Sequence, residues 1–240
     1  MIQVSSRAHR PSYSEADAAP LTIDVWSDVA CPWCYIGKRR LEAALEQFGA
    51  DETPLVVRFR SFQLDPTTPV DFAGSAVEYL AGYKGIPEPQ ARQMHRQVSQ
   101  IAADVGLKYD FENQKVANTL KAHQLLQFAW DRGRQWETKE ALLSAHFVEG
   151  RHVGRDEVLV TIAQEVGLDG LEFEQALKQE EYLPAVREDQ SLATRLGIHG
   201  VPFFVFDGRL AVSGAQREEV FVAALTRAQR ERDGSVDDRG

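Results

Sequence analysis

The chain has 240 residues, of which 43% are hydrophobic and 26% are charged, a composition typical of a globular protein in water. Its net charge of -9 argues against nucleic acid or an anionic membrane as the main partner. The sequence contains no run of about 18 apolar residues, so no membrane-spanning helix is expected. The N-terminal region lacks the apolar core of a secretory signal, and we therefore expect a cytoplasmic protein.

The first structured unit is predicted to be strand, helix, strand. Apolar and polar residues alternate over residues 21–27, which is the pattern of a β-strand. A short loop leads to Cys31, and Pro32 occupies the place of a first helical residue in a helix that Gly49 would end. Residues 55–62 are rich in strand-forming residues. This βαβ unit predicts two parallel strands.

A long helical block follows this unit. Hydrophobic residues recur there with helical spacing, and glycines separate the segments. The candidate helices span residues 73–83, 88–105, 118–132, 135–149, 156–166, 170–179 and 182–196.

Strand pattern returns near the end of the chain. Phe203–Phe206 and Arg209–Ser213 are joined by Asp207-Gly208, a pair that tolerates the positive φ angles of a type I′ turn. The sequence therefore predicts a β-hairpin, followed by a closing helix over residues 216–228.

Together these elements predict an α/β fold of the pattern βαβ…ββα with a large all-helical insertion. We assign residues 21–65 and 187–228 to the α/β domain and residues 66–186 to the insertion. Residues 1–20 and 229–240 are polar and aperiodic, which predicts a disordered arm and a disordered tail.

Both cysteines of the chain lie in Cys31-Pro32-Trp33-Cys34, at the predicted start of the first helix. Free N–H groups and the helix dipole at this end favour a thiolate on Cys31, which can attack a disulfide and form a mixed disulfide. Cys34, one turn later, can then resolve that bond. The motif predicts redox chemistry through a reversible Cys31–Cys34 disulfide, without a bound cofactor. Pro32 and an exposed Trp33 are expected to contact the substrate.

Zinc is the main alternative for this motif. Two cysteines supply half of a tetrahedral site, which needs two more ligands. The chain has no other cysteine, and its six histidines are scattered, with His146 and His152 six positions apart. We therefore predict no bound metal.

A second candidate element precedes the hairpin. Gly200-Val201-Pro202 stands immediately before the Phe203 strand, a position where proline is tolerated. A cis Val201–Pro202 bond would leave the Val201 backbone free to pair with an extended substrate beside Cys31. A trans bond would only turn the chain, and the sequence leaves both alternatives open.

These motifs, in this order, resemble the thioredoxin superfamily, and more closely its DsbA-like branch of the FrnE type. That branch is similar to 2-hydroxychromene-2-carboxylate isomerases and kappa-class glutathione transferases. The resemblance covers about residues 21–228. It rests on Ser27-Asp28, Cys31-Pro32-Trp33-Cys34, Ile36-Gly37-Lys38-Arg39, the segment from Asn118 to His123, Leu196-Gly197-Ile198, the segment from Gly200 to Phe204, and the segment from Ser213 to Gln216.

The resemblance implies a thioredoxin fold with a helical insertion, and disulfide oxidoreductase activity. In it Cys31 would be the nucleophile, Cys34 the resolving cysteine and Pro202 the cis-proline. The isomerases and transferases typically carry a serine where Cys31 stands and use it to orient a glutathione thiol. The second cysteine at position 34 favours dithiol chemistry, in which glutathione could be a co-substrate. A glutathione-dependent isomerase or transferase is the alternative function.

Two histidines are candidate auxiliary residues. The resemblance places the helix of His123 beside the site, where its ring could assist proton transfer, although a packed or surface histidine is the commoner case. His199 lies three residues before Pro202 and could stabilise the Cys31 thiolate, or lie exposed in a loop. The basic run 38–40 predicts a solvated helix face.

We therefore predict an enzyme that exchanges disulfides with protein or small-molecule substrates. A reducing cytosol slightly favours the direction of a reductase or isomerase. A non-catalytic module that binds metal or holds unfolded protein through the helical block is the remaining alternative. The helical insertion also offers a surface for a homodimer.

Overall fold

The computed structural model describes residues 20–49 and 54–237. Its elements follow the predicted order. They are β1 (Leu21–Ser27), α1 (Pro32–Phe48), β2 (Leu55–Ser61), α2 (Ala76–Lys84), α3 (Glu88–Ala103), α4 (Leu120–Asp131), α5 (Gln135–Phe147), α6 (Asp156–Glu165), α7 (Gly170–Lys178), α8 (Leu183–Arg195), β3 (Phe203–Phe206), β4 (Leu210–Ser213) and α9 (Glu218–Asp237).

The four strands form one mixed sheet in the order β2-β1-β3-β4. β1 runs parallel to β2, with Ser27 opposite Ser61, and antiparallel to β3, with Trp26 opposite Phe203. Asp207 and Gly208 both adopt positive φ angles, of 50° and 67°, in the turn between β3 and β4. The predicted βαβ unit and the hairpin are confirmed.

Helices α1 and α9 cover one face of the sheet. Ile23 and Val25 of β1 point into this core and are almost fully buried, as their alternation predicted. Burying such a side chain contributes about 1.5–3 kcal/mol each. Their partners in this core include Leu41, Ala44, Leu45, Phe204, Phe206, Phe221 and Leu225. This core holds α1 against the sheet, and residues 28–31 connect the end of β1 to the start of α1.

The helical insertion lies against the other face and has its own core between α4, α5, α6 and α7. One buried carboxylate, Asp189 of α8, joins the insertion to the sheet. It accepts hydrogen bonds from the Ser61 amide at 2.9 Å and from Gln127 Nε2 of α4 at 2.7 Å. The predicted boundary between residues 186 and 187 falls inside α8.

Two expectations need correction. The tail from residue 229 is helical as far as Asp237, because α9 continues past its predicted end; Ala228 is still buried, and Arg227 pairs with Glu231 at 2.7 Å. The run 38–40 is not a solvated face, because Lys38 is only 2% exposed. The arm predicted over residues 1–20, except Pro20, and the last three residues lie outside the described part of the chain.

Candidate active site

Cys31 is the N-cap residue of α1, with extended backbone angles of φ -94° and ψ 112°. Pro32 takes the first helical position. Proline has no backbone N–H, and at this position an N–H would have no hydrogen-bond partner within the helix. The Cys34 amide donates to the Cys31 carbonyl at 3.0 Å, which sets the first turn of the helix. Both cysteines are buried and carry free thiols, while Trp33 between them is 40% exposed.

The segment before β3 lies directly against this helix start. The Val201–Pro202 peptide bond is cis, the alternative that the sequence left open. The Cys31 thiol donates a hydrogen bond to the Val201 carbonyl oxygen at 3.5 Å. A Cβ atom on Gly37 would lie 3.0 Å from Pro202 Cγ, so the close approach of α1 to this segment favours glycine there.

A buried carboxylate, Asp28, holds the loop between β1 and α1. It accepts hydrogen bonds from the Leu64 amide at 2.7 Å and the Ala30 amide at 3.3 Å. Its second partner is His123 of α4, whose Nε2 atom lies 3.2 Å away in a fully buried position. Burial acts to raise the pKa of Asp28, but the hydrogen bond and charge of His123 outweigh it and hold that pKa below its ordinary value.

The two thiols titrate as a pair. Their mutual hydrogen bond, together with burial, raises the pKa of Cys31 well above its ordinary value. Burial also acts to raise the pKa of Cys34. It is outweighed by the hydrogen bond that the Cys31 thiol gives a Cys34 thiolate in place of its bond to Val201, and by the charge of Lys139, so that the pKa of Cys34 is lowered. The reduced pair therefore loses its first proton readily and holds its second tightly, because one thiol stabilises the other's thiolate.

This result differs from the sequence expectation that the helix terminus would favour a thiolate on Cys31. A positively charged side chain instead lowers the pKa of Cys34. It is Lys139 of α5, which is fully buried and whose Nζ has no hydrogen-bond partner within the described ranges. Burial lowers the pKa of Lys139, and the charges of Cys34 and Asp28 act in the opposite direction.

An ion-pair cluster fixes α5 against α1 next to this lysine. Lys38 Nζ lies 2.7 Å from a carboxylate oxygen of Glu42 and 2.7 Å from one of Glu140. Its ammonium also lies 4.5 Å from the centroid of the Trp136 ring. Arg39 and Tyr35 bind the other oxygen of Glu140. Lys38 thus links two helices rather than facing solvent.

A cavity of about 520 Å³ opens beside Cys31. It lies between the helix start and α2, α3 and α5, so both the α/β domain and the insertion form its walls. Most of the lining side chains are apolar, among them Trp33, Leu64, Met94, Val98, Phe111, Phe147 and Val201. His146 also lines it and is buried, with its Nε2 2.8 Å from the Gln114 amide nitrogen. Burial lowers the pKa of His146 to about 4.

The structure brings together most of the residues predicted for the site. Cys31, Pro32, Trp33 and Val201 all line the cavity, and Pro202 follows Val201. His123 is packed against Asp28 rather than lying on the surface. His199 is exposed, and it is not among the residues that line the cavity.

Over residues 20–49 and 54–237, no group of three or more His, Cys, Asp and Glu side chains is placed to hold a metal ion. Within the same ranges, no helix is both long and apolar enough to cross a membrane.

Sequence reasoning missed Lys139 and the far wall of the cavity. Lys139 precedes Leu142 and Leu143 by three and four positions, so it lies on the apolar face of α5. That spacing was the available signal. The residues of α2 and α3 come to the cavity only through tertiary packing, and no local pattern marks them.

A sheet of this order, with a two-cysteine helix start facing a cis-proline, defines a protein of the thioredoxin fold. The profile of the DsbA-like thioredoxin domain matches residues 22–226, and the chain belongs to this family. The predicted DsbA-like resemblance is thereby confirmed.

Three relatives illustrate the match. The crystal structure of a probable DsbA oxidoreductase from Streptomyces coelicolor is 39% identical, with a TM-score of 0.81, covering 88% of this chain and 91% of that one. The uncharacterized protein YwbO of Bacillus subtilis is 27% identical over 215 residues, or 88% of this chain and 98% of YwbO. A 2-hydroxychromene-2-carboxylate isomerase structure shares the fold, at 15% identity and a TM-score of 0.66, over 89% of this chain and 98% of that one.

Proposed function

We propose that the protein is a thiol–disulfide oxidoreductase in which Cys31 is the nucleophile and Cys34 is the resolving cysteine. One observation carries the proposal: the Cys31 thiol lies at a helix N-terminus, 3.5 Å from the Val201 carbonyl oxygen, at the edge of the cavity. A substrate sulfur in the cavity would meet Cys31 first, and Cys34 is the only other thiol of the chain.

In the exchange the dithiol gives two electrons to the substrate disulfide, so the substrate is reduced and the Cys31–Cys34 pair is oxidised. The reduced pair loses one proton readily, and the proton that remains moves from Cys31 to Cys34 when a substrate sulfur reaches Cys31. The resulting Cys31 thiolate attacks one sulfur of the substrate disulfide, forming a mixed disulfide and releasing the other sulfur as a thiolate. The Cys34 thiolate then attacks Cys31, closing the Cys31–Cys34 disulfide and releasing the second substrate thiolate. Each released thiolate takes a proton from water. A small thiol such as glutathione would return the protein to its dithiol form by the reverse exchange.

The apolar walls of the cavity favour disulfides that carry an apolar or aromatic group, whether in a protein segment or in a small molecule. We place the protein in the cytoplasm, where the reductase or isomerase direction is favoured. We propose that neither nucleic acid nor a membrane is a partner. We also propose that the helical insertion supplies the contact face of a homodimer.

The proposal is tested with the single serine variants. Cys31→Ser should lose insulin reduction and exchange with glutathione disulfide, because Cys31 supplies the thiol that lines the cavity and Cys34 does not line it. Cys34→Ser should still react once with a disulfide but should accumulate the mixed disulfide, which mass spectrometry detects. Full turnover by Cys31→Ser would overturn the assignment.

A glutathione-dependent isomerase or transferase is the second candidate, because the cavity beside Cys31 is large enough for an aromatic substrate. Such an enzyme needs one thiol site and not a pair. Turnover that survives in Cys34→Ser, with glutathione present, would favour it. A metal-binding or holdase module would instead show stoichiometric zinc that is lost on alkylation of the thiols.

A further inference from the structure

A lysine without a partner in the protein interior needs a physical reason. Lys139 is 0% exposed, and its Nζ has no hydrogen-bond partner among the residues that the structure describes. Its ammonium lies over the ring of Phe59, whose centroid is 5.7 Å from Nζ. An unpaired buried ammonium is costly, so it destabilises the fold unless a nearby negative charge compensates it.

Among the residues that the structure describes, the charged groups that act on the pKa of Lys139 lie in one region. Cys34 and Lys38 are on α1, Cys31 is its N-cap residue, and Asp28 lies in the loop after β1. Helix α5 packs against this part of α1, because Leu143, one turn after Lys139, shares a core with Tyr35 and Ile36. Lys38 is already compensated by Glu42 and Glu140. Asp28 is already bound by two amides and His123. Both cysteines change charge during disulfide exchange, and Cys34 is the one whose thiolate Lys139 stabilises.

The position of Lys139 is held from both sides. Gln135, one turn earlier on α5, binds the Phe59 amide at 2.8 Å and the Phe59 carbonyl at 2.9 Å, which fixes α5 to β2. Glu140, the next residue, binds Lys38 of α1. The lysine therefore cannot swing to solvent without breaking contacts with both the sheet and the cysteine helix.

We propose that Lys139 is the acid–base partner of Cys34, holding the proton that Cys34 must lose before it resolves the mixed disulfide. This rests on the proposed dithiol function. Lys139 acts through Cys34, and so it is a positioning residue for the reaction rather than a group that touches the substrate.

The step balances as a proton transfer followed by exchange. The Cys34 thiol gives its proton to the neutral Lys139 amine, leaving a thiolate next to an ammonium. That thiolate attacks Cys31 of the mixed disulfide, the Cys31–Cys34 bond forms, and the substrate leaves as a thiolate. In the reverse direction the Lys139 ammonium protonates or stabilises the Cys34 thiolate when the disulfide opens.

The first test isolates Cys34. In the Cys31→Ser background, the ultraviolet absorbance of the remaining thiolate is followed against pH, with and without Lys139→Met. We expect the pKa of Cys34 to rise by about one unit or more when Lys139 is replaced. A titration curve that does not move overturns the proposal.

The second test separates the two halves of the exchange. Reduced protein is mixed with one equivalent of 2,2′-dithiodipyridine, and the release of two thiopyridone equivalents is timed. The first release reports attack by Cys31 and should change less than about twofold in Lys139→Met. The second release reports resolution by Cys34 and should slow by about tenfold, with its rise moved to higher pH. Equal effects on both releases, or no effect on the second, overturn the proposal.

The controls distinguish the possible failures. Lys178→Met makes the same change at an exposed position on α7 and should behave as the wild type. If Lys139→Met does not fold, Lys139→Gln carries both measurements. If the wild type itself shows no second release, the proposed dithiol function fails; if the wild type shows it and the variants match it, only the role of Lys139 fails.

Discussion

The Cys31 thiol lies 3.5 Å from the carbonyl oxygen of Val201, although 170 positions separate the two residues in the chain. The contact joins the start of α1 to the segment before β3, and both residues line the same cavity. A substrate that reaches Cys31 must therefore pass the Val201 backbone on one side and the wall formed by the insertion on the other.

The apolar wall should select the substrate. Met94 lines the cavity from α3 and is 42% exposed, so Met94→Lys brings an ammonium to the apolar wall without emptying the core. We expect kcat/KM for the uncharged aromatic 2,2′-dithiodipyridine to fall about tenfold. The rate with glutathione disulfide should be unchanged or raised, because that substrate is anionic.

The matched control for this prediction is Leu171→Lys. Leu171 is exposed on α7 and does not line the cavity, so the same added charge should leave both rates as in the wild type. Equal loss of activity toward the two disulfides in Met94→Lys would show that the cavity does not discriminate between them.

The contact of α1 with the cis-proline segment predicts an unusual glycine effect. Gly37→Ala places a Cβ 3.0 Å from Pro202 Cγ and 3.2 Å from Phe204 Cζ. We expect a net loss of about 1–3 kcal/mol in the free energy of unfolding, despite the better helix propensity of alanine. Activity should fall as well, because Pro202 must move away from Cys31.

Gly82→Ala on α2 is the control, because a Cβ there meets no atom within 4 Å. It should stabilise the protein by about 0.5–1 kcal/mol. Urea unfolding and insulin reduction of the two variants compare the effects. Stabilisation by both substitutions would contradict the close packing at Gly37.

The sequence predicted the parts that local pattern determines. Alternation gave β1, helical spacing gave α1 to α8, and Asp207-Gly208 gave the hairpin, since each depends on residues near in the chain. The cysteine pair and the proline were predicted because their chemistry restricts their positions. Their 3.5 Å juxtaposition could be expected only through the family resemblance.

The rest of the site depends on distant packing. The sequence around Lys38 predicted a basic surface, because no local pattern indicates its ion pair with Glu140, which lies 102 positions later. Lys139 lies on an apolar helical face, and its position beside Cys34 depends on the packing of α5 against α1. The cavity forms between elements from both parts of the chain, so no single segment encodes it.

The ion pairs of Lys38 carry a stability prediction. Its side chain is 1% exposed, while Glu42 and Glu140 are 20% and 32% exposed. Lys38→Met should destabilise the fold by about 3 kcal/mol, because two partly buried carboxylates lose their cation. Thermal unfolding measures the loss. Lys178→Met breaks an exposed ion pair with Glu174 and is the control; it should cost about 0–1 kcal/mol. If Lys38→Met also costs only about 0–1 kcal/mol, Arg39 alone compensates the two carboxylates.

The buried ring of His146 should make the protein sensitive to acid. Its pKa is lowered by burial from 6.5 to about 4, so the folded chain resists protonation that the unfolded chain accepts. Above pH 6.5 the ring is neutral in both states and contributes nothing. As the pH is lowered from 6.5 to about 4, the free energy of unfolding should fall by about 1.4 kcal/mol for each pH unit. Below about pH 4 the ring is protonated in both states, and no further stability is lost through it.

His146→Gln removes the titrating ring, so the stability of this variant should decline less steeply than that of the wild type as the pH falls from 6.5 to 4.5. Urea midpoints at several pH values give the two slopes. His199→Gln, at an exposed position, is the matched control and should keep the wild-type slope. Identical slopes for the wild type and His146→Gln would mean that the ring is protonated in the folded chain, and that water or a neighbouring group reaches it there.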